Sequence, residues 1–220
     1  MNTSTRIFDA TASFDIDPQV GFTPLAPSEL PVPGGDEIVG ELNAMAALAR
    51  LRVASKDAHT PTAPWVVETH AEMLQPTGLP NADLTWVSHC VPGTPGYEFI
   101  PGLPAELDYD FVVYKGVSPS LHPYGACFHD LADKLSTGVI EYLKAQGIKN
   151  VIVGGLAYDY CVKTTAVQLA KAEFNVIVNM AATRAIADNS AADATRELGN
   201  YPNIRLVASA ADVAVALSAL

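Results

Sequence analysis

Basic residues are scarce in this 220-residue chain: 13 Lys and Arg stand against 24 Asp and Glu, a formal net charge of −11. Such a surface repels phosphate backbones and anionic headgroups, which argues against a nucleic-acid partner and against a membrane-surface role. Long apolar runs are missing as well. No stretch approaches the ~20 residues of a membrane span, and residues 1–12 lack a basic segment followed by an apolar core, so a cytoplasmic protein is expected. Cysteine is nearly absent. Cys90, Cys127 and Cys161 are odd in number and irregular in spacing, which argues against a disulfide framework and for reduced thiols. Repeats and low-complexity tracts are lacking too, so neither a solenoid nor a disordered segment is expected.

What is present suits one globular domain over residues 1–220, long enough to bury roughly 70% of its unfolded surface without staples. Stretches of period 2 alternate with stretches of period 3.6. The pattern predicts strands at 12–17, 51–55, 111–114, 151–153, 176–178 and 204–207. Helices are expected at 36–50 with Asp36 as cap, 137–146 ending at Gly147, 161–172, 190–198, and 209–219 capped by Ser209. Residues 58–107 are rich in Pro and Gly and weakly periodic, the mark of a functional loop region, and residues 1–11 form an N-terminal extension. The fold class is α/β: a doubly wound, six-stranded, mainly parallel sheet with helices on both faces.

In such sheets ligands bind beyond the carboxyl ends of the strands. Asp17 follows the first strand, Asp57 and His59 the second, Lys115 the third and Cys161 the fourth. A cysteine opening a helix meets free amides and the positive end of the macrodipole, which favour a thiolate. A reacting thiol also needs a base, a cation and oxyanion donors. Asp17, Lys115 and the backbone N–H groups of the turn before the helix, including that of Cys161, can supply them. Singly, each residue has a plainer role: Cys161 packing, Asp17 capping its loop, Lys115 in solvent. Their convergence at adjacent strand ends is what argues for a site.

Three segments carry a resemblance: Asp17-Pro18-Gln19-Val20-Gly21-Phe22, Lys115-Gly116, and Gly155-Leu156-Ala157-Tyr158-Asp159-Tyr160-Cys161-Val162. They look like the catalytic blocks of the cysteine hydrolases of the isochorismatase-like superfamily, and the match runs from the first strand to at least the fifth. The resemblance implies a Rossmann-like three-layer fold. It implies that Cys161 attacks a carboxamide carbon, that Asp17 relays the proton to departing ammonia, and that water hydrolyses the thioester. It also implies a cis peptide at Leu156-Ala157, aiming the amides of Ala157 and Cys161 at the oxyanion. Asp17 rather than Asp15 fits the D-x-Q-x-x-F spacing, which leaves Asp15 structural. Asp159 reads as a helix cap, and Tyr158 replaces a threonine common in this block.

Asp57 and His59, with His89 further on, offer one carboxylate and two imidazoles with open positions, a set that suits Zn²⁺, Fe²⁺ or Mn²⁺. On spacing alone the signal is weak. The D-x-H and W-x-x-H-C-V-x-G-T-P-G patterns, however, are similar to those of nicotinamidases. That likeness implies one divalent metal ion, zinc first, binding the pyridine nitrogen of nicotinamide. It makes a small molecule the partner, nicotinamide and with it pyrazinamide, and leaves a homo-oligomer open. Trp65 stands where a further histidine ligand commonly falls, so Glu68, ahead of His70, is expected to substitute unless water does. Phe22, Trp86, Tyr124 and Leu156 are expected to line the substrate pocket, where a flat ring gains from stacking. Cys90, Cys127, His122 and His129 read as structural. The alternatives are a hydrolase of another amide or of isochorismate, lacking the ring-nitrogen metal, and a non-catalytic small-molecule binder.

Overall fold

The computed structural model describes residues 7–220; most of the expected N-terminal extension, residues 1–6, lies outside the described residues. Six strands make one parallel sheet: β1 (Thr11–Ile16), β2 (Leu51–Asp57), β3 (Phe111–Lys115), β4 (Asn150–Leu156), β5 (Asn175–Arg184) and β6 (Ile204–Val207). Their spatial order is β6-β5-β4-β1-β2-β3, with every neighbouring pair parallel. Five α-helices lying wholly among the described residues flank the sheet: α1 (Val39–Ala46), α2 (Val139–Ala145), α3 (Lys163–Lys171), α4 (Asp188–Leu198) and α5 (Ala210–Ser218). The doubly wound class expected from the sequence is the class observed.

Alternation along the strands explains the two faces. Ala12, Phe14, Val151, Val153, Val176 and Val178 pack with residues of α2, α3 and α4, including Leu143, Ala166 and Leu198. On the other side Ile152 and Ile177 pack with Leu42 and Met45 of α1 and Val213 and Leu217 of α5. Each such Val, Leu, Ile, Met or Phe side chain withdrawn from water stabilises the fold by ~2 kcal/mol.

Several elements differ in length from the sequence expectation. β4 spans seven residues rather than three because the glycine pair stays in the sheet. Gly155 lies beside Ile16 with φ +123, and a Cβ there would come 1.9 Å from the Ile16 carbonyl oxygen. Only glycine keeps that pairing. β5 runs for ten residues, its register with β4 shifting between Val153 and Gly155. The first expected helix is split: Asp36 lies inside a 3-10 turn, Gly35–Ile38, and α1 ends at Ala46. Two expectations hold closely: Gly147 takes φ +73 after α2, and the Ser209 hydroxyl accepts from the Asp212 amide at the start of α5.

The long segment 58–107 holds short elements of its own. Val66–Val67 pairs with Trp86–Val87 in parallel, and Pro76–Leu79 forms a hairpin with Ala82–Leu84. Strand order reverses at β1, because β2 and β3 lie on one side of it and β4, β5 and β6 on the other. The crevice beyond the ends of β1 and β4 is therefore where this topology places a ligand.

Candidate active site

Asp17 is the first residue past β1 and takes φ +41, a left-handed conformation that aspartate tolerates better than most side chains. Its Oδ1 accepts from the Ser55 hydroxyl at 2.6 Å, and its Oδ2 lies 2.9 Å from Lys115 Nζ. Lys115 ends β3, two strands away, and is fully buried. Its ammonium also lies 2.5 Å from Asp57 Oδ1 and 3.7 Å from Cys161 Sγ, and donates to the Pro123 carbonyl at 3.3 Å. A buried ammonium is sustained only by partners of this kind. Here two carboxylates outweigh burial and hold Lys115 protonated. Burial works against Asp57 too, yet Lys115 and the His59 ring keep its carboxyl well below the usual range. Burial pushes the Asp17 carboxyl up, to about 6, against the pull of Lys115.

Cys161 sits in a π-helical turn, Tyr158–Val162, that leads into α3. Burial, Asp17 and Asp57 raise its thiol well above the ordinary value, and only Lys115 lowers it. The resting thiol is thus neutral, so the helix-start amides alone do not produce a thiolate. Asp17, Asp57 and Cys161 bring one ligating atom each to within 4.8 Å of one another. Leu156-Ala157 is a cis peptide, as expected.

The three imidazoles lie on the Asp57 side of this group. His59 Nε2 is 3.4 Å from Asp57 Oδ1, and His89 Nε2 is 4.0 Å from Asp57 Oδ2. His89 is oriented by Nδ1, which is 2.7 Å from the Val87 carbonyl oxygen. That hydrogen bond leaves Nε2 as the lone-pair nitrogen facing the carboxylate. Burial and the neighbouring His59 lower His89, to about 3, so the ring is neutral. Gly116 makes room for His59: it takes φ +72, and a Cβ would come 2.2 Å from the His59 ring. Both ring nitrogens of His59 are buried without a hydrogen-bond partner. Unpaired buried nitrogens beside a carboxylate fit a divalent cation better than they fit any protein partner in reach.

The structure corrects several expectations. Glu68 and His70 are exposed, and His70 Nε2 is 2.6 Å from the Glu29 carbonyl oxygen, outside the cluster. Glu68 lies just past the Val66–Val67 strand, while the buried residue beside His59 is Trp65, ring centroids 4.8 Å apart. His122, expected to be structural, is buried and joins His59 and His89 in a group whose ring nitrogens lie within 4.8 Å of one another. Leu156 is fully buried in the core with Ile152 and Leu42 and does not line the cavity. Asp159 does not cap the helix that follows Cys161; it accepts from the amides of Ile186 and Ala187, just before α4, and from the Ser190 hydroxyl in its first turn. Tyr158 lies in the core, its hydroxyl 2.8 Å from that of Thr195.

A narrow, mostly apolar cavity opens between these groups. Phe22, Trp86 and Tyr124 line it as expected, and Cys161, Asp57 and His89 reach it. Tyr160, Leu30 and Ile186 line it without having been foreseen. Tyr160 stands edge-on to Trp86 at 5.0 Å. Gln19 was quoted only as part of a motif, yet its amide both accepts from the Asp57 N–H at 2.7 Å and donates to the Asp57 carbonyl at 2.9 Å. The D-x-Q spacing carried that signal.

A thiol, a carboxylate and a locked ammonium at an apolar cavity on a doubly wound sheet define a small-molecule hydrolase. The chain belongs to the isochorismatase family, whose domain model matches residues 11–211. A nicotinamidase of Acinetobacter baylyi is 32% identical over 174 residues, covering 78% of this chain and 79% of its own. One of Escherichia coli is 31% identical over 155 residues, 68% and 72% of the two chains. Among solved structures, a nicotinamidase/pyrazinamidase of Acinetobacter baumanii superposes with TM-score 0.79 at 26% identity, covering 93% of this chain and 98% of that one. A pyrazinamidase of Pyrococcus horikoshii, solved in complex with zinc, gives 0.69 at 27% identity over 90% and 98%.

Proposed function

We propose that this chain hydrolyses nicotinamide to nicotinate and ammonia, acts likewise on pyrazinamide, and serves NAD salvage in the cytoplasm. The observation that carries the reading is that Cys161, held beside Asp17 and Lys115, shares one narrow aromatic cavity with Asp57, His89 and His122. In the first half-reaction Cys161 Sγ adds to the carboxamide carbon as its proton passes to Asp17. The amides of Ala157 and Cys161 receive the developing oxyanion. Asp17 then protonates the amide nitrogen, the C–N bond breaks, and ammonia leaves an acyl thioester. In the second half, water adds as Asp17 takes its proton, the C–S bond breaks, and the thiol recovers that proton. Lys115 holds Asp17 in place and offsets the negative charge that appears on sulfur.

Asp57, His59 and His89 would hold a divalent ion, with zinc favoured over iron or manganese. When bound, that ion supplies a Lewis-acid contact for the ring nitrogen of a pyridine. Phe22, Trp86, Tyr124 and Tyr160 stack around the ring and exclude water.

Ammonia release measured on nicotinamide, pyrazinamide and benzamide, with and without chelator, tests this. The expected result is turnover of the two ring-nitrogen amides, weak turnover of benzamide, and loss on chelation. Equal, chelator-insensitive turnover of benzamide would overturn the ring-nitrogen reading. Silence on all three would overturn the amidase reading itself.

A further inference from the structure

We propose that His122, carried by the loop after β3, is a third imidazole ligand of the metal, in a set completed by Asp57, His59 and His89. The inference rests on the metal reading above and goes beyond it by naming a ligand from a segment that no motif marks.

His122 is buried, with both ring nitrogens lacking any hydrogen-bond partner. A neutral imidazole can satisfy one nitrogen as donor and one as acceptor, so two orphans on one buried ring are costly. His59 has the same two orphans, and its ring lies stacked on that of His122, centroids 4.9 Å apart and planes 18° from parallel. One cation accepting a lone pair from each ring removes a buried vacancy on both. The ligating nitrogens of His59, His89 and His122 lie within 4.8 Å of one another.

The backbone around His122 is held from two sides. Its N–H donates to the Asn81 carbonyl at 2.7 Å, and Tyr124 donates its hydroxyl to Asp83 Oδ1 at 2.7 Å. Asn81 and Asp83 belong to the 76–84 hairpin, which thus pins both ends of His122-Pro123-Tyr124. This tripeptide meets three parts of the site: imidazole to the histidine group, the Pro123 carbonyl to Lys115, and the Tyr124 ring to the cavity wall. A metal bound by His122 therefore also fixes the carbonyl that receives Lys115 and the ring that walls the substrate.

Trp65 explains why the ligand comes from here. Its ring packs edge-on to His122 at 4.2 Å and to His59 at 4.8 Å, filling the space on the 58–107 side of the imidazoles. An indole offers no lone pair to a metal. His122, packed against the same indole and stacked on His59, would supply the nitrogen that Trp65 cannot.

The test uses the full-length chain, stripped with chelator and reloaded with Co²⁺ as a spectroscopic probe or with Zn²⁺ in competition with a chromophoric chelator. His122→Ala is expected to weaken Zn²⁺ binding by ~100-fold or more and to change the visible Co²⁺ spectrum, since ligand loss exceeds the 10–100-fold of an outer-sphere change. Glu68→Ala should leave both readouts as in the parent. X-ray absorption of the zinc-loaded parent counts imidazoles without any variant, so a misfolded His122→Ala does not stall the test. Three imidazoles support the inference and two overturn it. A parent chain that binds one ion while His122→Ala binds it with unchanged affinity and spectrum overturns the inference and leaves the metal site standing. A parent that binds neither ion overturns the metal reading itself.

Discussion

Asp17→Asn keeps the side chain's shape and its contact with Ser55 but removes the base proposed to take the Cys161 proton. The expected outcome is a fall in kcat of at least ~1,000-fold, read by ammonia release on protein shown by thermal melting to be folded at the assay temperature; retention of a tenth of parental turnover would refute the role. Cys161→Ala should abolish turnover while nicotinamide still binds, because the aromatic walls remain; isothermal titration at substrate concentrations above the parental KM checks it. Both residues were legible in the sequence because the end of a parallel strand is a fixed place: whatever follows it faces the crevice. His122 was not. It lies seven residues beyond Lys115 in a loop without periodicity, and only the tertiary return of that loop onto the 76–84 hairpin brings it beside His59. Leu156 was misplaced for a related reason, since its register in β4 decides whether it faces core or cavity, and spacing within the motif does not fix that register.

At the scale of elements, the site depends on turns that admit little change. Gly116→Ala would place a methyl group 2.2 Å from the His59 ring at φ +72. The expected result is a loss of ~1–3 kcal/mol in stability together with weaker Zn²⁺ binding, measured by urea unfolding and chelator competition; a stable variant with parental zinc affinity would refute the role assigned to that glycine. Asp159 acts between elements: from the turn that carries Cys161 it accepts three donors at the start of α4. Asp159→Ala should cost ~1–3 kcal/mol, because it leaves buried donors without their acceptor, and the effect should appear in unfolding free energy before it appears in KM. The sequence marked the glycine through the Lys-Gly pair and read Asp159 as a cap of its own helix, whereas its actual partners depend on α4 docking against the π-helical turn. Strand lengths were underestimated at β4 and β5 because glycine and asparagine inside a buried strand look like its end.

Across the whole molecule, the order β6-β5-β4-β1-β2-β3 puts the two halves of the winding on opposite sides of β1, so Asp17 and Cys161 meet at the reversal point. Class and strand count were readable from alternating periods; the order was not, because it depends on which way each crossover turns. The same central strand carries a second buried acid. Asp15 is fully buried, its Oδ2 2.7 Å from Arg52 Nη2 and accepting from the Tyr109 hydroxyl at 3.0 Å. Burial nevertheless pushes its carboxyl up from 3.8 to about 6, with Arg52 opposing. The folded chain therefore binds a proton here more tightly than the unfolded chain does. Linkage fixes the sign: the stabilising contribution is fully present below pH ~4, declines as pH rises, and is gone above pH ~6. Asp15→Asn removes that titration while keeping a neutral acceptor for Tyr109 and Arg52. Urea unfolding of both proteins at intervals from pH 4 to pH 7 should show the parent losing stability relative to the variant by up to about 1.4 kcal/mol per pH unit within the window, and running parallel to it outside. Parallel curves throughout would mean that Arg52 holds Asp15 ionised across the whole range, and that burial of this acid costs the fold less than its position in the sheet implies.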